Sequence, residues 1–283
     1  MKTQRFLLTI LIVVCTALVA AAQTKPLLKR TTYKTDRLDF GVGGTVAIVG
    51  APNGSIRVEG WPNREIEITA EVEVQAETEA DLVKLSQVTS FVTEESLGRV
   101  AIISVGANDK KYLKGAGKKL AKLLQSMPFK IDYVVKVPRY SDLQIDGGKG
   151  DLSVSGVDGT MKLNFLETNA DLSLVGGSTA ATFGSGTINV TIPTSNWRAG
   201  ITNVQLANGT MNVSLPQNLN AEVDATILRT GKIENGFSAF RPRMRKVEFT
   251  DKSVAAKSGV GGVSLKFEVG DGTLKIAETG KPS

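Results

Sequence analysis

The 283-residue sequence has no histidine and a single cysteine. Without imidazole there is no His general base and no His-metal site. Cys15 lies inside an apolar N-terminal run, so a chain cleaved after that run carries no thiol, and disulfides and thiolate nucleophiles are excluded with it. Aromatic residues make up only 6% of the chain, whereas glycine supplies 29 positions, above its usual share of about 7%. That balance suits a chain of many corners with small side chains packed in a narrow interior. No cofactor is implied.

The N-terminus has the composition of a targeting segment. Lys2 and Arg5 precede an apolar run from Phe6 to Val19, and Ala20 to Ala22 offer small residues for cleavage before Gln23. The run only approaches the 20 or so apolar residues that a membrane-spanning helix needs. Residues 1–22 are therefore read as a cleaved signal peptide, and the protein as exported to a periplasm, secreted or on the cell surface. Cleavage removes Lys2 and Arg5, which lowers the formal charge of +6 by two. A modest basic excess is compatible with anionic envelope partners, although charge alone bears on solubility and non-specific attraction.

From residue 143 to 236 one short phrase returns: Gly150-Asp-Leu-Ser-Val154, Ala170-Asp-Leu-Ser-Leu174, Gly186-Thr-Ile-Asn-Val190, Gly209-Thr-Met-Asn-Val213 and Gly231-Lys-Ile-Glu234. The leading residues are spaced by 20, 16, 23 and 22 positions, an imperfect period of about 20. Within each phrase the apolar residues are two apart with a polar residue between, the period of a half-buried strand. The leading glycines mark corners. Second strands are expected at 161–165, 179–183, 201–206 and 221–227, so that two strands and two corners fill one turn. A repeat this short must stack on its neighbours to bury its apolar face. The expected fold is all-β: a short β-solenoid, β-helix-like, of stacked repeats of about 20 residues with a short helical insertion.

The expected organisation is a linker at 23–37, an N-terminal β region at 38–137, the β-repeat solenoid at 138–276 and a tail at 277–283. In the N-terminal region Ile66 to Val74 alternates without a break, and Glu65, Glu67, Glu71 and Glu73 share its outer face, as on a solvated strand surface. Thr78 and Asp81 resemble a capping box, and Leu82, Leu85 and Val88 follow at helical spacing, which predicts a helix within 78–92. Residues 108–130 hold Lys110, Lys111, Lys114, Lys118, Lys119 and Lys122 against one acid, Asp109. With Leu113, Leu120, Leu123, Leu124 and Met127 they fit either a solvated loop or a basic amphipathic helix for an anionic surface. Tyr112 and Phe129 stand at opposite ends of the stretch, which speaks against stacking on nucleic acid.

Gly147-Gly-Lys-Gly150-Asp151 has glycines like a β-roll calcium repeat, but Asp comes one residue early and no adjacent copy follows. Pro242, in a basic cluster at 241–246, argues against a central strand there. Residues 260–269 and 273–276 predict two final strands, expected to cap the open end of the coil.

The phrase Asn53-Gly-Ser-Ile-Arg-Val-Glu-Gly-Trp61, followed by Glu65-Ile-Glu-Ile-Thr-Ala70 and then the Gly-Asp-Leu-Ser-Val phrases, resembles the bacterial putative-adhesin family of unknown function built from β-strand repeats, over roughly Leu38 to Ile276. The resemblance implies an exported β-helix-like domain with no assigned catalytic residues. The expected function is a structural or adhesin-like binding role at the bacterial cell envelope without catalysis. Its partners would be an envelope polysaccharide, an anionic lipid or another envelope protein, and not nucleic acid. Two other readings stay open. One is a polysaccharide-active lyase or glycoside hydrolase on a β-helix, which needs convergent Asp, Lys or Arg; the other is an anionic-membrane module using the lysine-rich stretch.

Overall fold

The computed structural model describes residues 26–113, 122–193, 200–244 and 248–279. The expected signal peptide, Lys114, Lys118 and Lys119 lie outside these segments. The described strands hydrogen-bond into one sheet, and the fold is predominantly β, as the alternating phrases predict.

The repeats form the middle of that sheet. Strands β8 (Asp142–Lys149) and β9 (Leu152–Ser155) are the two arms of one rung, and β10 (Met161–Ser173), β11 (Thr179–Thr191) and β12 (Ile201–Leu215) run through both arms. Neighbouring rungs pair in parallel, one repeat apart: Ile188 faces Ala170 on one side and Met211 on the other, and Phe183 faces Phe165 and Leu206. Each rung turns midway. At Gly209 the backbone has φ +140°, and a Cβ there would stand 2.0 Å from the Gly186 carbonyl oxygen of the rung beside it. Only glycine allows both that conformation and that closeness. The sheet is thus folded along a line of corners. On both arms alternate residues, among them Phe183, Ile188, Val190 and Leu206, turn inward and are buried in one continuous core.

The chain does not stack in sequence order at either end. Strands β2 (Thr45–Val49) and β3 (Ile56–Trp61) form a rung that lies against β8 and β9. The later strands β6 (Arg99–Val105) and β7 (Phe129–Pro138) pair with its other side. Antiparallel neighbours widen this end: β5 (Ser90–Ser96) beside β6, β4 (Glu65–Ala76) beside β7, and β1 (Leu28–Asp39) beside β4. From Leu28 onward the stretch expected to be a linker is therefore a twelve-residue edge strand. Its many charged side chains hid the strand pattern, and charges of this kind are what keep an edge from pairing with other chains.

Helix α1 (Glu79–Val88) follows β4. The Thr78 side chain caps it by accepting from the Asp81 N–H at 3.2 Å, and Leu82 and Leu85 are buried. A one-turn helix α2 (Lys122–Gln125) precedes β7.

The C-terminal end differs from the sequence reading. Residues 263–278 form a single strand, β17 (Val263–Glu278), instead of two capping strands. It is inserted between β12 and the rung made by β13 (Ala221–Ile227) and β14 (Gly231–Asn235). Its apolar residues Leu265, Phe267, Val269, Leu274 and Ile276 are all buried, so it serves as an internal rung. The outer end is closed by β16 (Ser253–Ser258), antiparallel to β13, by the two-residue edge strand β15 (Arg241–Pro242), and by Phe237 and Phe240, whose rings are 4.6 Å apart. Pro242 sits on that edge, where a missing N–H is tolerated.

Candidate functional site

The polar position inside each repeat phrase becomes, through the parallel register, a row across the outside of the sheet. On the arm formed by β9 and the second halves of β10, β11 and β12, one row reads Ser153, Asp171, Asn189, Asn212. The next reads Ser155, Ser173, Thr191, Ser214. Towards the corner a third row runs Asp151, Asn169, Thr187, Thr210, with Asp151 and Asn169 joined by a hydrogen bond and the rest by register. All twelve side chains are short, and all are exposed or half-buried. Strands stand about 4.8 Å apart, so the rows make a flat polar floor four strands wide.

Hydrogen bonds along the stack hold the middle row in place. The Asn212 side-chain amide donates to the Asn189 oxygen at 2.8 Å, and the Asn189 amide donates to Asp171 Oδ1 at 2.8 Å. In the corner row Asn169 donates to Asp151 Oδ1 at 3.3 Å and accepts from the Thr187 N–H at 3.3 Å. Each amide spends one donor on its neighbour and keeps capacity for a ligand or water.

Long charged side chains border the floor. On one side Arg57 and Glu59 pair at 2.5 Å on β3, next to Ser153 and Ser155. On the other side Lys275 of β17 adjoins Asn212, and Glu234 bridges Lys275 at 3.6 Å and Lys232 at 2.6 Å. At the corner Lys149 and Glu167 pair at 2.8 Å, and this hydrogen bond raises the pKa of Lys149. Two shallow clefts of about 330 and 340 Å³ open here; both are lined by Asp151 and Asn169, one reaching Lys149 and the other Arg57.

The acidic row of β4, expected to be merely solvated, is cross-linked. Glu67 accepts from Arg37 of β1 and from Lys136 of β7, and its pKa is lowered chiefly by the Lys136 hydrogen bond. Glu73 pairs with Lys29 at 3.1 Å. Among the described residues no group of three or more Asp, Glu or Cys side chains is arranged to hold a metal ion.

The lysines singled out by sequence do not form one described cluster. Lys110 is exposed. Lys111 is exposed too and pairs with Glu94 at 3.0 Å, while its hydrogen bonds to Tyr112 and Glu94 raise its pKa. Lys122 begins α2 and is exposed. Leu113 and Leu124 are buried and Met127 packs on the core, so these three apolar residues face the protein and not a membrane. The floor of short polar residues was missed as a site, although its signal lay in the Ser and Asn positions of the repeated phrase.

The chain is similar to several solved structures. A "putative cell adhesion protein" from Clostridium sporogenes ATCC 15579 is 14% identical, with TM-score 0.48 over 88% of this chain and 100% of that one. A "putative adhesin" from Bacteroides fragilis NCTC 9343 is 12% identical, with TM-score 0.38 over 87% and 97%. A "putative lipid binding protein" from Parabacteroides distasonis ATCC 8503 is 13% identical, with TM-score 0.27 over 86% and 96%. No curated protein matches the chain. Residues 52–277, which hold every strand from β3 onward except the last residue of β17, match the family described as Toastrack DUF4097, and the chain belongs to that family.

Proposed function

We propose that this protein is an exported, non-catalytic β-solenoid with an adhesin-like or structural binding role at the bacterial cell envelope. The observation that carries the reading is the polar floor itself. Parallel stacking repeats the same short polar residues rung after rung on an outer face, which gives a broad contact surface instead of a pocket converging on one reacting atom. The charged groups beside it are paired with one another, as Lys149 is with Glu167 and Arg57 with Glu59. Surfaces built from repeats suit extended partners. The apolar N-terminal run and the membership of an adhesin-resembling family support placement at the envelope.

The test is sedimentation of the purified protein with washed envelope fragments, alongside a variant lacking residues 108–126. Retention of the intact protein and of the variant is expected. Failure of the intact protein to sediment overturns the binding role, and loss confined to the variant transfers that role to the lysine-rich stretch. Release of reducing ends or unsaturated uronates from envelope polysaccharides would overturn the non-catalytic reading.

A further inference from the structure

The chemistry of the floor narrows what it can hold. It has no aliphatic or aromatic side chain for the apolar centre of a protein interface. Its only charges are the carboxylates Asp151 and Asp171, which disfavour nucleic acid and anionic lipid, since both are held by lysine and arginine. What it offers is a grid of hydroxyl and amide groups, each able to donate and accept. The groups within each row recur at the strand spacing, and the rows are bordered by Arg57 and Glu59 on one side and by Lys275 and Glu234 on the other. One corner cleft extends the grid past the glycine line to Lys149, and the other runs to Arg57.

We infer that this floor is a binding site for a neutral, hydroxyl-rich polysaccharide chain lying flat across β9 to β12. The inference rests on the envelope-binding role proposed above and names the site and the ligand class for it. The bordering ion pairs set the width of the tray; Asp171 and Asn189 lie at its centre, and Thr191, Asn212 and Ser214 lie on the same floor nearer its edge. A glycan of the protein's own cell wall and one from another cell present the same chemistry to this grid.

The test uses the purified protein in affinity electrophoresis through gels containing soluble dextran, galactomannan or β-glucan, with polygalacturonate as an anionic comparison. Thr191→Arg and Asn212→Arg each put a long cation on the floor. Thr182→Arg puts the same group on the exposed face of the other arm of β11. Thr191→Val removes one hydroxyl, suits a strand, and guards against misfolding of the arginine variants. At least one neutral polysaccharide is expected to retard the protein. The expected weakening is tenfold or more in T191R and N212R and a few-fold in T191V, with none in T182R. Retardation by polygalacturonate alone, or equal weakening in T182R, overturns the inference.

Envelope sedimentation of the same variants separates the two readings, and competition by each soluble neutral glycan against own-cell and foreign-cell fragments separates the two sources. A protein that binds envelope fragments while no neutral glycan competes leaves the envelope role standing and removes the floor as a glycan site. A protein that binds neither loses both.

Discussion

The carbonyl oxygen of Gly186 lies 2.0 Å from where a Cβ on Gly209 would stand, and the Gly209 carbonyl lies 1.8 Å from the equivalent point on Gly272. Successive rungs therefore touch through backbone at the corner, and the corner glycines set how closely the sheet can fold. Gly209→Ala combines a disfavoured positive φ with a collision that only movement of the neighbouring rung relieves, so a loss of about 3 kcal/mol is expected. Gly43→Ala is the comparison. It also has positive φ, at +83°, but meets nothing within 4 Å, and should lose about 1 kcal/mol. Urea unfolding of the two variants measures the difference; equal losses would mean that the rung contact contributes nothing.

The placement of β17 gives a second expectation. A strand that merely capped the end could be removed with local fraying, but β17 separates β12 from β13 and β14 and fills the core between them. Ending the chain after Gly262 should leave β13 and β14 without their parallel partner and expose the inward side chains of β12. In hydrogen exchange, protection is expected to vanish over 221–235 and to fall over 201–215, while 161–173 stays protected. Protection of 221–235 in the truncated chain would show that β13 can close directly on β12.

The rungs were legible in sequence because their signals are local: alternation at Leu152 and Val154 or Ile188 and Val190, with a glycine before the strand. The order of the rungs was not. Repeat phrases expose the same pairing edges, so nothing in Leu265-Lys-Phe267 says that it belongs beside Val204 instead of at the end; that choice is made by long-range packing. Strand β1 was hidden for a different reason. Lys29, Arg30, Lys34 and Arg37 mask its alternation, and their partners, Glu73, Glu79, the Phe91 carbonyl and Glu67, lie 30 to 57 residues away. The polar floor was half legible. The Ser and Asn positions were visible in each phrase, but their assembly into rows depends on a register that crosses insertions of unequal length, 18 residues between Asp171 and Asn189 and 23 between Asn189 and Asn212.

Asp132 supplies a pH-dependent test of the junction between β3 and β7. Its carboxylate accepts from the Ser55 N–H and hydroxyl, both at 2.7 Å, and from Lys130 at 2.6 Å. Burial pushes its pKa up, but the hydrogen bonds from Lys130 and Ser55 outweigh that, and the net shift is downward from 3.8. Because the folded pKa is depressed, the unfolded chain takes up a proton first as pH falls. The stabilisation is therefore fully present above about pH 4 and is lost as pH drops through the folded value. Asp132→Asn should lower stability at pH 7 by about 1–2 kcal/mol. The gap between wild type and variant should be narrower at pH 3 than at pH 7, because below the ordinary aspartate range the unfolded wild-type chain is already protonated at this position. Urea midpoints at the two pH values decide the matter: a gap that is unchanged or wider at pH 3 would mean that the ionised form of Asp132 is not what joins β7 to β3.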